Sequence, residues 1–358
     1  MTQLALRSLG KAFGAHKIFD NLDLAANDGE IVVIFGGSGT GKTILLRLIA
    51  GVEELTSGLI EIDGADVTDV APEHRGVGMA FQNFALFPHM SAWENIATPL
   101  RAQKATAEAI KAGVEKVAKL LKIDHVLSHA PRELSNGQKQ RTALARALAA
   151  EPRILLLDDP LRNVDAKLRF EMRLELPRLL RQSGATVLYV TQDYKEAMAL
   201  GDRIAVLAGG KFIQTATPEE IYLTPATLGV ARLFGDPAIN TAETRVDVVG
   251  GKVTVTLGGV KGALDQSYQH LGGREVTFAV RPEAVEFADQ GLAAEVMAVT
   301  PLNERVVLLL QSDGGWEFLA SLPSSSDFIP EAGSRVHVVF AGSGTHLFDS
   351  ITGERLHG

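Results

Sequence analysis

Two short stretches of the sequence contain residue types that could bind and activate phosphate groups. The first is FGGSGTGKT, residues 35–43, which ends the aliphatic stretch EIVVIF and opens the helix-like stretch KTILLRLIAG. It fits the pattern G-x-x-x-x-G-K-[ST], in which glycines let backbone amides converge on phosphate oxygens, the lysine neutralises their charge and the hydroxyl ligates Mg²⁺. An ordinary turn after a strand is the alternative. The predicted phosphate loop consists of Gly36, Gly37, Ser38, Gly39, Thr40, Gly41, Lys42 and Thr43.

The second stretch is LLLDDP, residues 155–160, which places two carboxylates at the end of an aliphatic run. A carboxylate at the end of a buried strand can hold the Mg²⁺ of a phosphate loop, so Asp158 is a candidate metal residue together with Thr43. Asp159 would then lie where an attacking water must be oriented or deprotonated. Because Asp and Pro both form turns, a turn that ends the strand is the alternative for these acids.

The composition excludes several classes of protein. The chain has 358 residues, which favours two domains, and with 46% hydrophobic and 22% charged residues it can bury a substantial core. A formal net charge of -8 lacks the basic character of most nucleic-acid-binding proteins, so we expect no nucleic-acid partner. The absence of cysteine excludes disulfides and thiolate metal sites. Because no run of about 18 apolar residues occurs, any membrane association would go through a partner.

The pattern of the sequence changes near residue 236. Before it, continuous apolar stretches such as RILLLDD and ATVLYVT alternate with helix-like stretches, which predicts a parallel sheet covered by helices. After it, short alternating stretches such as KVTVTLGG and SRVHVVFAG are separated by Gly and Pro, which predicts a small barrel-like all-β domain. The segment LFGDPAINT joins the two, so we predict domains at residues 1–235 and 236–358.

Six motifs in order give the chain a resemblance to a known family. They are FGGSGTGKT, FQNFALFPHMSAWENI, LSNGQKQR, ILLLDDP, RNVDAKLR and YVTQD. Their order and spacing resemble the ATP-binding subunits of ABC transporters, in particular those of importers for oligosaccharides, polyols and sn-glycerol 3-phosphate. The segments VRPEA and HLFDSITGERL resemble the C-terminal transport-associated domain of that group. The resemblance implies an α/β P-loop ABC ATPase domain, with a parallel sheet core and antiparallel β and helical subdomains, followed by an OB-type domain. It also implies ATP and Mg²⁺ as cofactors.

The resemblance assigns further residues to the nucleotide site. Phe13 occupies the position of the aromatic ring that stacks on adenine; a core phenylalanine is the alternative. Gln82 resembles the residue that reaches Mg²⁺ and the attacking water, with a capping amide as the alternative. The apolar segment at residues 83–90 could line a groove for a cytoplasmic helix of a permease subunit, or it could be ordinary core.

The motif LSNGQ resembles the signature sequence that contacts the nucleotide of a second subunit. In it, Ser135 can cap a helix whose positive end points outward, and Gly137 permits close approach. Asn136 stands where a glycine is usual, and we expect its tolerance of a left-handed backbone to make it the least harmful replacement. Asp165 would lie at the seam between the two subunits. The signature residues are Leu134, Ser135, Asn136, Gly137 and Gln138.

Two positions depart from the family pattern, and both belong to the catalytic half of one site. Asp159 stands where Glu is usual and is one methylene shorter, and Gln192 stands where His is usual. A general base must come within about 3 Å of the attacking water, so the shorter side chain should weaken hydrolysis more than binding. We therefore treat Asp159, Gln192 and Gln82 as the candidate catalytic residues.

Three functions follow from these residues. The chain is an importer ATPase with two like sites, or a nucleotide-binding subunit paired with a second, fully equipped ATPase, or a soluble ABC protein that acts on DNA or ribosomes. The interval between Lys42 and Ser135 leaves no room for a coiled-coil insertion, which disfavours the third. The expected partners are two integral-membrane permease subunits, a second ATP-binding subunit, with a heterodimer favoured over a homodimer, and indirectly an extracytoplasmic solute-binding protein. The expected location is the cytoplasmic face of the inner membrane, as a peripheral subunit.

Overall fold

The computed structural model describes residues 2–357 and, within them, every side chain except that of Ser343. The chain divides into two units, one up to residue 218 and one from residue 219. Residues 219–235 therefore group with the C-terminal unit, whereas the sequence places the domain boundary at 235/236, which stays a prediction. None of the described helices is long and apolar enough to cross a membrane.

The first unit contains ten strands and the helices α1 to α6. Its strands are β1 (Thr2–Phe13), β2 (His16–Asn27), β3 (Ile31–Phe35), β4 (Ser57–Ile62), β5 (Ala65–Asp66), β6 (Val77–Ala80), β7 (Ile154–Asp158), β8 (Thr186–Thr191), β9 (Arg203–Ala208) and β10 (Lys211–Ala216). The helices are α1 (Lys42–Ala50), α2 (Ala92–Ala102), α3 (Ala107–Leu120), α4 (Asn136–Leu148), α5 (Ala166–Ser183) and α6 (Tyr194–Leu200). Helix α7 (Pro218–Leu223) begins at the last residue of this unit.

A six-stranded sheet with the order β10-β9-β3-β8-β7-β6 forms the centre of this unit. All neighbouring pairs are parallel except β9 and β10. Every residue of β3, β7 and β8 is buried, as the continuous aliphatic runs predict. The register pairs Phe35 with Thr191 and Asp158 with Val190, so these three strands end side by side. The segments that follow them must therefore meet at one edge of the sheet.

A second, antiparallel sheet with the order β2-β1-β4-β5 shares a core with the first. Helix α1 is buried in that core through Leu45, Leu46 and Ile49. Helices α2, α3 and α4 pack on one another as a separate helical segment. The predicted parallel core with antiparallel and helical additions is confirmed.

The C-terminal unit consists mainly of antiparallel strands. Its strands are β11 (Asn240–Val249), β12 (Lys252–Leu257), β13 (Val260–Ala263), β14 (Glu275–Val280), β15 (Val285–Ala288), β16 (Leu292–Leu302), β17 (Arg305–Ser312), β18 (Glu317–Pro323), β19 (Arg335–Phe340), β20 (Thr345–Asp349) and β21 (Arg355–Leu356). They form two sheets, β13-β12-β11-β14-β20-β21 and β15-β19-β16-β17-β18, around one apolar core. The predicted all-β C-terminal domain is confirmed. One further helix, α8 (Leu228–Leu233), precedes the strands.

Arg281 attaches the helical segment of this unit to its sheets. The Arg281 guanidinium is 2% exposed and donates hydrogen bonds to the backbone carbonyls of Tyr222, Ala231 and Phe234. Ala231 also packs in an apolar cluster with Ala279 and Phe348. These contacts explain why residues 219–235 group with the β unit.

We expect a truncated chain ending at Gly235 to carry an unfolded tail. Without Arg281, three carbonyls of this segment lose the hydrogen bonds that the guanidinium donates, and the buried ring of Phe234 is exposed to water. Limited proteolysis should cut residues 219–235 of the truncated chain rapidly and leave them intact in the full chain. A second truncation ending at Pro218 should bind nucleotide equally well. Protection of residues 219–235 in the longer truncation would contradict this assignment.

His346 lies inside the C-terminal unit as a neutral side chain. It is 2% exposed, and neither ring nitrogen has a hydrogen-bond partner among the described residues. Burial, helped by the nearby charges of Arg355 and Arg281, lowers the pKa of His346 to about 4 from its ordinary value of 6.5. The unfolded chain therefore binds a proton at a higher pH than the folded chain does, so acid favours unfolding.

We expect the C-terminal unit to lose stability as the pH falls from about 6.5 towards 4, by at most about 3 kcal/mol from this residue. The stabilisation is fully present above the unfolded pKa. His346→Phe keeps a ring beside Phe348 and removes the titrating group. Urea unfolding at pH 4.5 and pH 7.5 should show a smaller pH effect in the variant than in the unmodified chain. An equal pH effect in both proteins would rule out His346 as the cause.

Candidate functional site

The segments after β3, β6, β7 and β8 surround a cavity of about 250 Å³ at one edge of the six-stranded sheet. Predicted residues from all four segments line it. These are Ser38, Gly39, Gly41, Lys42, Thr43, Gln82, Asp158, Asp159 and Gln192. The sequence did not single out the other lining residues, which are Ile18, Ile44, Arg162 and Val190.

The phosphate loop connects β3 to α1 and holds its lysine inward. The Lys42 ammonium is largely buried and donates to the carbonyls of Gly36, at 2.8 Å, and Gly37, at 2.6 Å. Burial lowers the pKa of Lys42, while the nearby carboxylates of Asp159 and Asp158 oppose that shift. The lysine is therefore positioned to exchange carbonyl oxygens for phosphate oxygens.

Gly41 is required for the turn that enters α1. Its φ of 95° lies in the left-handed region, and a Cβ atom there would lie 2.8 Å from Cζ of the buried ring of Phe19. Any larger residue would therefore be strained and would also clash. The turn leads directly into the N-terminus of α1, and the free backbone amides at a helix N-terminus favour anions.

Thr43 and Asp158 form the oxygen-rich part of the cavity. The Thr43 hydroxyl donates to Oδ1 of Asp158 at 2.9 Å, and Asp158 is 4% exposed. Burial raises the pKa of Asp158, and the Thr43 hydrogen bond opposes the shift. Hydroxyl, carboxylate and amide oxygens are hard ligands, so Thr43, Asp158 and Gln82 fit Mg²⁺. Among residues 2–357, no group of three or more His, Cys, Asp or Glu side chains is placed to hold a metal ion. A cation at this cavity would therefore need the neutral oxygens of Thr43 and Gln82 in addition to Asp158.

Asp159 has an unusual backbone and a cationic neighbour. Its φ is 43°, in the left-handed region, and its amide donates to the carbonyl of Val190 at 2.9 Å. Oδ2 of Asp159 lies 3.7 Å from Nη1 of Arg162. Burial raises the pKa of Asp159, and the Arg162 guanidinium is the largest opposing influence. Arg162, three residues further along the same turn, therefore partly neutralises the charge of the Asp159 carboxylate.

Gln192 follows β8 and is exposed at the cavity. A buried hydrogen-bond network supports this turn. Oε2 of Glu196 accepts hydrogen bonds from the hydroxyls of Tyr189, at 2.8 Å, and Thr191, at 2.9 Å. Burial raises the pKa of Glu196 to about 7. The Asp193 carboxylate caps α6 through the amides of Lys195 and Glu196.

Gln82 and Phe13 have different positions relative to the cavity. Gln82 lines it, and its carbonyl accepts a hydrogen bond from the side-chain amide of Asn163 at 3.0 Å. Phe13 ends β1 and is 47% exposed, and it is not among the lining residues. The Lys11 ammonium lies 4.4 Å from the centre of its ring. The core alternative for Phe13 is wrong because a core ring would be buried, whereas adenine stacking stays a prediction.

The signature residues form the N-terminus of α4. Ser135 is the N-cap, and it exchanges hydrogen bonds with Gln138: the Gln138 amide donates to Oγ, and the Ser135 amide donates to Oε1. Leu134 is buried, which fixes the entry of the chain into the helix. The left-handed backbone that we expected for Asn136 is wrong. Asn136 is the first residue of α4 and is exposed, and a right-handed helical residue at this position does not need glycine.

Gly137 of the signature helix packs against the first turn of α5. A Cβ atom on Gly137 would lie 2.4 Å from Cδ2 of Leu168, so a larger residue there would require the Leu168 side chain to move. Oδ1 of Asp165 accepts a hydrogen bond from the Leu168 amide at 3.0 Å and caps α5. Asp165 thus has a local role in capping, and its place at a subunit seam stays a prediction.

Sequence reasoning missed Arg162 and Glu196. Arg162 could have been noticed as a basic residue directly after DDPL, three positions beyond Asp159. Glu196 lies in the helix-like stretch YKEAMAL, where nothing in the pattern indicates that it is 1% exposed. Its burial depends on contacts with Tyr189 and Thr191 in β8.

Comparison with known proteins agrees with this geometry. The family model described as ABC transporter matches residues 19–162, and the one described as TOBE domain matches residues 278–348. The sn-glycerol-3-phosphate import ATP-binding protein UgpC of Escherichia coli K12 is 39% identical over 362 residues, covering 99% of this chain and 100% of the relative. The UgpC protein of Yersinia pseudotuberculosis is 39% identical over 364 residues, covering 99% of each chain.

Solved structures are similar over the first part of the chain. A dimeric ATP-binding cassette in a post-hydrolysis state, bound to ADP and Pi, is 30% identical with a TM-score of 0.54 and covers 60% of this chain and 98% of its own. The cbiO1 protein of Clostridium perfringens, part of an ABC transporter complex, is 25% identical with a TM-score of 0.57 and covers 62% of this chain and 90% of its own. The chain therefore belongs to the ABC transporter family. Within that family it is an ATP-binding subunit, and its reaction is ATP hydrolysis.

We expect Lys42→Ala to abolish nucleotide binding measured by calorimetry. The substitution removes the buried cation that faces the phosphate loop, and nothing else on the loop replaces its charge. Lys116→Ala, which removes an exposed lysine of α3, is the matched control and should bind nucleotide normally. Unchanged affinity in Lys42→Ala would contradict the assignment of the loop.

Proposed function

We propose that the chain couples the hydrolysis of MgATP to the import of a solute through membrane permease subunits. The observation that carries this proposal is the convergence of Lys42, the Thr43–Asp158 hydrogen bond and Gln82 on one cavity. Relatives that match the whole chain are import ATP-binding proteins, which supports import over export. The chain then acts as a peripheral subunit at the cytoplasmic face of the inner membrane.

The cavity residues divide the work of binding and hydrolysis. The Lys42 ammonium leaves the carbonyls of Gly36 and Gly37 and neutralises phosphate oxygens. Thr43, Asp158 and Gln82 hold Mg²⁺, which compensates phosphate charge when it is bound. Asp159 is the only other carboxylate in the cavity lining, so it is the group that can orient or deprotonate water.

The imported solute is sn-glycerol 3-phosphate or a related polyol or sugar. Two lines favour this class: the name of the relatives at 39% identity, and the C-terminal domain that they share with this chain over its full length. The cavities of an ATPase subunit do not select the solute, because selection belongs to the binding protein and the permeases.

A groove of the first unit fits a helix of a permease subunit. Its lining includes the apolar side chains of Val77, Met79, Phe81 and Phe87, residues of α2 and α4, and charged side chains such as Glu73, Glu151 and Arg153. Phe87 is 43% exposed, and the Arg146 guanidinium lies 5.7 Å from the centre of its ring. An exposed aromatic side chain in an apolar groove is a typical anchor for an amphipathic helix. The segment at residues 83–90 is therefore proposed as the permease contact.

Two ATP-binding subunits form the working unit. The signature residues do not line the cavity built on Lys42, which supports their action on the nucleotide of another subunit. Ser135 and Asn136 are exposed at the N-terminus of α4, where the helix dipole favours phosphate. Asp165 is exposed at the start of α5 and would lie at the seam.

We favour an asymmetric pair with a second, different ATPase subunit over a homodimer. Asp159 is one methylene shorter than Glu and is engaged by Arg162, so it is a poor base at this site. Gln192 is neutral and cannot supply a positive charge to the phosphate. The capped signature helix, by contrast, is complete enough to serve the partner. The cavity built on Lys42 then mainly holds ATP and hydrolyses it slowly, and the partner's cavity, which is completed by the signature helix of this chain, carries out most of the ATP hydrolysis.

Reconstitution with the permeases and the binding protein tests both parts of this proposal. The assembled complex should import radiolabelled sn-glycerol 3-phosphate only when ATP is present. Asp159→Asn in this chain should leave hydrolysis by the complex largely unchanged, because the partner performs the chemistry. Ser135→Arg should abolish hydrolysis, because it blocks the partner's nucleotide.

Other results would point elsewhere. Loss of hydrolysis in Asp159→Asn, with the purified chain hydrolysing ATP alone as fast as the complex, would establish a homodimer with Asp159 as its base. Import of a sugar but not of sn-glycerol 3-phosphate would change the solute and leave the ATPase function intact.

A further inference from the structure

The charges that line the nucleotide cavity are balanced in an unexpected way. Its two carboxylates, Asp158 and Asp159, face two cations, Lys42 and Arg162. Lys42 donates hydrogen bonds within the phosphate loop, and Asp158 accepts a hydrogen bond from the Thr43 hydroxyl. Asp159 and Arg162 remain as a second pair beside the first. Lys42 and Arg169 also act on the charge of Asp159, but Arg162 has the largest effect of the three cations.

Arg162 is fixed at its backbone and loosely held at its guanidinium. Its amide donates to the carbonyl of Asp159 at 3.2 Å, and its carbonyl accepts from Nη2 of Arg169 at 3.3 Å. The distance of 3.7 Å from Nη1 to Oδ2 of Asp159 is longer than a hydrogen bond. The side chain is 47% exposed, so little packing restrains it. The guanidinium can therefore turn towards another anion while its base stays in place.

Gln192 brings no positive charge to the cavity. It lies after β8, whereas Arg162 follows β7, and the two strands are neighbours in the sheet. A guanidinium is always charged and binds phosphate oxygens in a bidentate manner, whereas an amide offers only a neutral hydrogen bond. Of the described residues that line the cavity, Arg162 is thus the one cation outside the phosphate loop.

We propose that Arg162 binds the terminal phosphate of ATP and so makes this site retain ATP in preference to ADP. On binding, the guanidinium exchanges the Asp159 carboxylate for phosphate oxygens. The inference rests on the proposed function, since it assumes that this cavity binds the triphosphate. It gives the site an ATP-holding residue at a position to which the sequence analysis assigned no role.

Calorimetric titration with ADP and with a nonhydrolysable ATP analogue, both with Mg²⁺, tests the role of Arg162. Arg162→Ala should weaken binding of the ATP analogue about tenfold, the value of a charged hydrogen bond, and should change ADP binding less than about twofold. Arg162→Lys keeps the charge but loses the bidentate geometry. Its affinity for the ATP analogue should therefore lie between those of the unmodified chain and of Arg162→Ala. Arg178→Ala, an exposed arginine of α5, is the matched control and should leave both affinities unchanged.

A second variant separates phosphate binding from simple neutralisation of Asp159. If Arg162 only shields the carboxylate, its removal should cost nothing in an Asp159→Asn background, because no charge is left to shield. If Arg162 binds phosphate, the roughly tenfold loss for the ATP analogue should persist in that background.

The outcomes are distinct. An equal loss for ADP and the ATP analogue in Arg162→Ala, or a loss that disappears with Asp159→Asn, would overturn the role of Arg162 alone. Failure of the unmodified chain to bind either nucleotide would instead overturn the proposed function, and this role with it.

Discussion

The hydrogen bond between the Thr43 hydroxyl and the Asp158 carboxylate is the interaction on which the site depends. It joins the first turn of α1 to the last residue of β7, two segments that are far apart in the sequence. The bond can form only because β3, β8 and β7 are parallel and end in register. A slip of one residue in β7 would turn the carboxylate to the other face of the sheet. The burial of these strands therefore determines the chemistry at their ends.

The same burial explains why each charge at this edge has a partner. Moving a carboxylate out of water is costly unless it is paired or hydrogen-bonded. Asp158 has the Thr43 hydroxyl, Asp159 has the Arg162 guanidinium, and Glu196 has the hydroxyls of Tyr189 and Thr191. Glu196 supports the turn that carries Gln192 and does not reach the cavity lining. Some ionisable groups at this edge thus line the nucleotide cavity, and others stabilise the backbone turns that position the lining residues.

The sequence predicts those parts of the site that depend on local order. The phosphate loop is one continuous segment between a strand and a helix, and Asp158 ends an aliphatic run, so both could be predicted from pattern. The cap formed by Ser135 was predictable for the same reason. Asn136 was misjudged because the replacement of a glycine was taken as a sign of unusual backbone, whereas the residue lies within α4. The Arg162 and Glu196 contacts depend on how a turn folds and on which side chains β8 buries, and no periodicity reveals either.

The packing of Gly137 against Leu168 has a consequence for how the gene can change. The start of the signature helix and the first turn of α5 share this contact, and a methyl group added to Gly137 would require the Leu168 side chain to move. A larger residue at position 137 would be tolerated only with a smaller or differently oriented one at position 168. Homologous chains should therefore vary at these two positions together. The signature and the start of α5 would then be inherited as one unit, even though about thirty residues of chain and a buried strand separate them.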